Sequence, residues 1–570
     1  MDFAGRASTG SALIRLIIVL VFFNTLYAQN NSFNGKIQAL IKQEKWREVV
    51  DLAKSEPTRS ADLEYFYGTA LAHLQRWQEA HQAFQAGARL QPTDERFPLE
   101  LAGVDFKQKK YPDAASHLRQ AIRLAPNDSY ANDFLGTVYF LEDNVDAALK
   151  YWNRVDKPVV ANVRPVPKPR VNPALLDHAF AFAPASVLRL PDFLTSQSRV
   201  KGLDIFSSAV FELRAREDGQ FDLVMRNHEL NGFGNTKLEK LVRLFRSLPD
   251  ESIHPEFYNF HGKAINFISG YRWDAQKRRV RAEVSGPLRE DPKRRIAFGV
   301  DLRGENWNIR DSFTGPAPVL AGFNMRREAI NATFNSFESG RWRWSAGVEL
   351  SHRDFRDAFL GTTLTPELLS KGYQLKQLTT LNAEIWRIPE HRINISGSIS
   401  SDAGRIWSDP SQAFEKLQGS LRFHWYPQAM GDDYEILHTL RAGKTWGDIP
   451  FDELYTLGVL GDNNLMMRAH ITTRDGKKGA APLGRNYFLS NWELDKNVYR
   501  KGWFTVKVGP FLDTGKITDP LPELGSQKWL WDIGGQVKAR VFGFGFGLTY
   551  GKDLRSGKNA IFVTAMRSER

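Results

Sequence analysis

The sequence contains no cysteine. Disulfides, thiolate catalysis, Cys-ligated zinc and lipid attachment at a cysteine are therefore excluded. Beyond the N-terminal region no apolar run approaches the ~18 residues that a membrane helix needs, and mean hydropathy is −0.41. A β-barrel escapes that test, because its lipid-facing residues alternate with polar ones. There is no P-loop and no G-x-S-x-G elbow. Gly543-Phe544-Gly545-Phe546-Gly547 has the glycines of a phosphate loop, yet it alternates like a strand with no helix signal after it. His254 and His261 stand seven apart with no third ligand at metal spacing. No cofactor, no metal and no enzymatic activity are expected. Charge of one sign is not concentrated either. The 77 Lys+Arg and 65 Asp+Glu give +12, but the excess is spread along the chain, as a solvated surface and a polar lumen would have it, and no nucleic-acid partner is expected.

What is present is organised in blocks, and 570 residues suggest several domains. Residues 1–28 read as an export signal: Arg6 and Arg15, an apolar core from Leu16 to Phe23, and Ala28 as a small residue before the cleavage point. Leu26 at the −3 position leaves retention as an uncleaved anchor open.

Residues 31–156 form one block, in which the chain from 60 to 158 repeats with a 34-residue period. Ala80, Ala114 and Ala148 fall on one lattice, and Gly68, Ala102 and Gly136 on another. Trp77, Tyr111 and Val145 share an apolar slot; Phe84, Leu118 and Trp152 share a second; Pro92 and Pro126 end the units. The pattern resembles tetratricopeptide repeats, in which small residues let paired helices approach and large ones fill the groove. A degenerate half-unit around Trp46 and Val49 is expected to cap the array. A concave face that binds a protein partner is implied.

Residues 157–186, with Pro158, Pro165, Pro167, Pro169 and Pro173, read as a stiff extended linker. In 187–250, Pro191 to Leu203 suits a helix. Val210–Arg214 and Phe221–Met225 flank the turn Glu217-Asp218-Gly219, and Leu238, Leu241, Val242, Phe245 and Leu248 have helical spacing. The stretch from Leu203 to Met225 resembles POTRA domains, the small periplasmic modules that precede outer-membrane assembly barrels.

From 258 to 566 the texture is alternation in segments of about ten residues, long enough to cross a bilayer when tilted. Lys416, Gln418, Ser420, Arg422 and His424 interleave with Leu417, Gly419, Leu421, Phe423 and Trp425. An outer-membrane β-barrel of about sixteen strands is predicted, with lipid outside and a polar lumen. Residues 305–327 give no readable pattern. Tryptophans near segment ends, such as Trp342, Trp386 and Trp425, suit interfacial girdles.

Two stretches are more specific. From Leu457 to Leu494 a glycine-rich turn leads to Met467-Arg468-Ala469-His470, a basic loop, and the strand Tyr-Phe-Leu-Ser-Asn-Trp-Glu-Leu. From Val508 to Ile517 runs Val-Gly-Pro-Phe-Leu-Asp-Thr-Gly-Lys-Ile, and five strand-like segments follow the loop. Together these resemble the C-terminal hallmarks of the BamA/TamA surface-antigen superfamily of assembly and secretion barrels. The resemblance implies that the loop over about 446–485 folds into the lumen. It implies that Arg468 at the tip meets Asp513, with Phe511 as the motif aromatic and Gly515 as the motif glycine. Ala469 and His470 depart from the Gly-aromatic pair of that family, and the last residues lack its terminal aromatic. A forked guanidinium on a carboxylate would give the tip a directional anchor that lysine could not.

The expectation is an outer-membrane barrel that inserts or translocates proteins, its N-terminal arm in the periplasm. The resemblance further implies that substrate strands enter at the seam between first and last strands, which here would join Lys263–Trp273 to Asn559–Met566. A dedicated exporter, or a scaffold whose barrel is only an anchor, are the alternatives.

Overall fold

The computed structural model describes residues 35–567 apart from 233–235, 248–250, 311–317, 362–365, 429–432, 460–462, 502–503, 522–523, 527 and 542–543. The expected signal at 1–28 lies outside the described residues. The chain divides into two compact units, Met1–Val155 and Asp156–Arg570.

The first unit is a stack of helix pairs. Ala61–His73 packs on Trp77–Leu90, Arg96–Lys107 on Tyr111–Leu124, and Ser129–Leu141 on Val145–Trp152. Ser60 and Asp128 cap their helices by accepting from the amides of Leu63 and Ala131. The 34-residue lattice becomes a set of matched volumes. A Cβ on Gly68 would sit 2.6 Å from the Phe84 ring, and one on Gly136 would strike the indole of Trp152. In the middle unit the same slots hold Ala102 and the smaller Leu118, both fully buried. Ala80, Ala114 and Ala148 are also fully buried. Trp77 and Tyr111 are only half-buried. They head the second helices of their units: Trp77 packs against the buried core and the Tyr111 ring lies 5.7 Å from that of Phe106.

The second unit begins with a small α/β module whose sheet order is β2-β1-β4-β3. It comprises β1 (Val159–Val166), a helix Pro173–Ala179, β2 (Ser186–Val187), a helix Leu190–Gly202, β3 (Phe206–Ala215) and β4 (Phe221–Glu229). Residues 157–186 are thus not a free linker. β1 pairs in parallel with β4 from Val160 to Val166. The alternate prolines favour extended backbone, and beyond Val160 the other edge of β1 has no ladder partner, so a missing donor costs little there. A helix at Lys237–Ser247 follows.

The remainder is an antiparallel sheet whose strand order closes into a barrel. Its wall opens with β5 (Ser252–Ile253) and β6 (Glu256–Phe260), both of which pair with β7 (Ile265–Trp273) and make one rail. β8 (Lys277–Leu288), β9 (Asp291–Arg310), β10 (Val319–Ser336), β11 (Trp342–Phe359), β12 (Gly372–Ile388), β13 (Ile393–Trp407), β14 (Gln412–Trp425) and β15 (Tyr434–Gly447) follow in chain order. A long connection then carries the short segments β16 (Tyr455–Thr456), β17 (Thr473–Arg474), β18 (Lys477–Lys478) and β19 (Leu483–Gly484). β20 (Asn486–Lys501) pairs with β15, and β21 (Phe504–Thr518), β22 (Leu530–Val541), β23 (Phe544–Asp553) and β24 (Asn559–Arg567) complete the wall. The unreadable stretch 305–327 contains the end of β9 and the start of β10, where the alternation is inverted and Trp307, Ile309, Ala321, Phe323 and Met325 take the buried positions; 311–317 lie outside the described residues.

Register explains the wall. Val300, Ile330, Leu350 and Leu375 are cross-strand partners on four successive strands, and all four are exposed. An apolar row of this kind around a closed sheet has the pattern of the outer face of a membrane barrel. Aromatics mark both rims: Trp342, Trp344 and Trp386 at one end, and Tyr373, Trp407, Trp446 and Trp531 at the other. The alternate positions face inward.

The module docks under the first of these rims. Arg295 donates to the C-terminal carbonyls Gly202 O (2.7 Å) and Leu203 O (2.5 Å) of the helix Leu190–Gly202, and Asn266 donates to Leu203 O and Asp204 O. A guanidinium on the last carbonyls satisfies groups the helix leaves unpaired. Arg199 answers from the helix side, donating to Phe337 O and Glu338 O in the β10–β11 turn.

Candidate functional site

The connection between β15 and β20 leaves the opposite rim and turns into the lumen. An apolar cluster explains its path. Ile449, Phe451, Leu454 and Leu483 of the loop join Trp307, Ile309, Phe323, Met325, Phe355 and Phe414 of the wall in one buried core. Phe451 sits edge-on to Trp307 (4.9 Å) and to Phe323 (4.8 Å). Such ring pairs add about 0.5–1.5 kcal/mol each beyond area burial.

Two ionic anchors hold the loop. The far anchor is at its tip. Arg468 Nε donates to Asp513 Oδ2 (2.9 Å) and Nη2 to Asp513 Oδ1 (2.5 Å), a fork on a fork. The main-chain amide of Arg468 also reaches Asp513 Oδ2 (3.0 Å). Nη1 donates to Glu493 (2.6 Å) and Gln536 (3.1 Å), and the guanidinium lies 3.9 Å from the centre of the Phe511 ring. Arg468 is 5% exposed and Asp513 0%. Asn491 donates to Asp513 Oδ1 and to Met466 O, so it ties the carboxylate to the loop backbone. A Cβ on Gly515 would lie 2.9 Å from Met467 Sδ; the glycine is what lets the tip lie on β21. Ala469 N donates to Asp532 Oδ2 (2.7 Å).

Sequence reasoning missed the near anchor. Arg279, Arg303, Arg327 and Arg353 are direct cross-strand partners on β8 to β11, and so form a row of four like charges. Such a row is destabilising unless anions intervene. Asp301 takes Arg279 at 2.7 Å. Asp452 of the loop lies 3.3 Å from Arg327, 3.3 Å from Arg353 and 3.6 Å from Arg303. Its neighbour Glu453 accepts from Lys376 (2.8 Å) and Lys416 (3.2 Å). Both acids are buried in the lumen. The signal was present: an adjacent Asp-Glu pair after Pro450-Phe451, and arginines at matched hairpin distances. It became meaningful only once the register was known.

A third contact secures the returning limb. Asp475 and Gly476, both at positive φ, turn the hairpin β17–β18, as an Asp-Gly pair does in a two-residue turn. Lys478 then pairs with Glu305 at 3.0 Å and lies 4.4 Å over the Trp307 ring. Glu305 is shared with Lys277 at 3.0 Å. The loop therefore touches the arc β9–β14 at its base and on its return, and the arc β20–β23 at its tip. It spans the lumen between them.

The family-model and curated-protein comparisons return no match. Among solved structures, BamA from Haemophilus ducreyi lacking POTRA domains 1–3 is similar at 11% identity, covering 72% of this chain and 84% of that one, with TM-score 0.43. CdiB from Escherichia coli is similar at 14% identity over 72% and 77% of the two chains, with TM-score 0.46. YrrB, described as a TPR protein with an unusual peptide-binding site, is similar at 19% identity over 25% of this chain and 78% of its own, with TM-score 0.20.

Proposed function

We propose that this chain is a gated outer-membrane barrel that inserts or translocates proteins, and that its helical arm binds a protein partner on the periplasmic side. The observation that supports this best is the lumen-spanning loop with its ionic anchors. A barrel that served only as an anchor would need no charged latch across its lumen. Buried ion pairs are weak contributors to net stability but strongly disfavour being half broken. They suit an element that is either fully docked or fully released. The apolar belt supports membrane residence.

Planar-bilayer recording tests the gate. The intact protein should be closed or nearly so. Asp452→Asn combined with Arg468→Ala should open a large, steady conductance. A wide pore in the unmodified protein would overturn the latch. Photo-crosslinking from Ile561 and Val563, the exposed apolar positions of β24, tests client passage in cells. Capture of newly made outer-membrane or secreted proteins is expected; capture of lipid alone would favour the anchor reading.

A further inference from the structure

Next to the tip anchor stands a second group of side chains, joined to it through the amide of Ala469 on Asp532. His470 is 6% exposed, Asp532 0% and Asp553 2%. They come from the loop tip, the start of β22 and the end of β23. The imidazole lies between the two carboxylates, with Nδ1 3.1 Å from Asp532 Oδ2 and Nε2 3.8 Å from Asp553 Oδ2. One ligand atom from each of the three falls within 4.8 Å of the others. Nε2 of His470 and Oδ1 of Asp532 have no hydrogen-bond partner.

We propose that His470, Asp532 and Asp553 form a binding site for a divalent transition cation of the Zn2+ type. The charge balance motivates it. Two carboxylates buried side by side are costly without a cation. Among the described residues, neither has an ion pair with any lysine or arginine; their contacts of that kind go to His470 alone. One imidazole, even protonated, leaves a negative excess, and a divalent cation removes it. The donor set narrows the choice. One nitrogen and two oxygens with an open fourth position is a zinc arrangement. Calcium takes about 6–8 oxygens, and copper(I) wants sulfur. Bonds of about 2.0–2.1 Å place tetrahedral ligand atoms roughly 3.4 Å apart, a modest contraction of the present spacing.

The surroundings hold the ligands in place. Asp532 Oδ2 is fixed by the amide of Ala469, and Oδ1 is buried with no hydrogen-bond partner. Asp553 accepts from the amides of Arg555 (2.9 Å) and Ser556 (3.2 Å) in the turn after β23. Such outer contacts commonly set metal affinity. The bound cation would staple the loop tip to β22, which Arg468 already touches through Gln536, and to β23, which its side chain does not reach. The site rests on the docked loop, not on any assignment of clients.

The test uses the full chain, purified in detergent and stripped with a chelator, with Co2+ as the probe. Visible bands of four- or five-coordinate Co2+ should appear at one equivalent and vanish when Zn2+ competes. His470→Gln and Asp553→Asn should each weaken Co2+ binding by about 100-fold or more, since even outer contacts contribute 10–100-fold. Asp553→Asn can still cap its turn, and heat-modifiable gel mobility shows that each variant has folded. Folded wild-type protein without Co2+ bands, or folded variants that bind Co2+ as wild type does, would overturn the proposal. Conductance is read separately, so that outcome leaves the latch standing.

Discussion

Removing Arg468 and removing Asp513 should not be equivalent, and the asymmetry can be worked from their partners. Truncating one member of a buried ion pair costs about 3–5 kcal/mol, because the other is left buried and unpaired. Asp513→Ala leaves Arg468 with Glu493 and Gln536, so its charge stays compensated and the loss belongs near the low end, about 3 kcal/mol. Arg468→Ala leaves Asp513 with Asn491 and a main-chain amide but no cation, and also strips the ring of Phe511. That loss belongs near the high end, about 5 kcal/mol. The double variant should cost less than the sum of the two singles, with a coupling of about 1–3 kcal/mol, since both remove the same fork. Arg468→Lys should recover only part, because an ammonium cannot engage both carboxylate oxygens in plane while reaching Glu493. Urea titration in detergent micelles, followed by gel mobility, reads all four proteins. Additive losses, or a larger loss for Asp513→Ala than for Arg468→Ala, would show that the fork does not couple the two residues in this way.

Ile399→Lys, in the exposed apolar belt of β13, should destabilise the barrel by about 2–4 kcal/mol, and an unchanged urea midpoint would place that position outside the hydrocarbon. Gly136→Leu forces a side chain into the Trp152 ring and should cost about 1–3 kcal/mol, read as faster amide exchange in the helices Ser129–Leu141 and Val145–Trp152. Burial raises the Glu100 carboxyl above its ordinary 4.5, against a hydrogen bond from Tyr65 and the nearby His73. An acid raised on folding opposes folding once the unfolded chain ionises, so Glu100→Gln should stabilise the arm at neutral pH. That advantage should vanish as pH falls below 4.5, as thermal melts across pH would show.

Periodic features were the legible ones. The 34-residue lattice survives in sequence because each slot is a volume constraint: a glycine at 68 or 136 answers an aromatic at 84 or 152. The alternation of Leu417 to Trp425 survives because each side meets a different solvent. The prolines of 157–186 misled, since extended backbone serves a spacer and a strand equally. Asp452, Glu453 and the arginine row were invisible for another reason. Their meaning lies in which strand neighbours which, and no single segment carries that information. The pairing of Arg468 with Asp513 was suggested by the order of motifs rather than by any period. His470 stood out in sequence only as a departure from the motif, and its two carboxylate neighbours lie on separate strands.

The lumen-spanning loop also has a mechanical side. A hoop braced across its diameter is stiff along the braced arcs and compliant elsewhere. Here the strut joins β9–β14 to β20–β23. In the proposed membrane setting, lateral pressure would therefore concentrate deformation in β24 and in β5–β8, the stretch of wall between the two feet. The place where the wall yields is set by where the strut lands, and moving either foot of the strut would move the yielding arc with it.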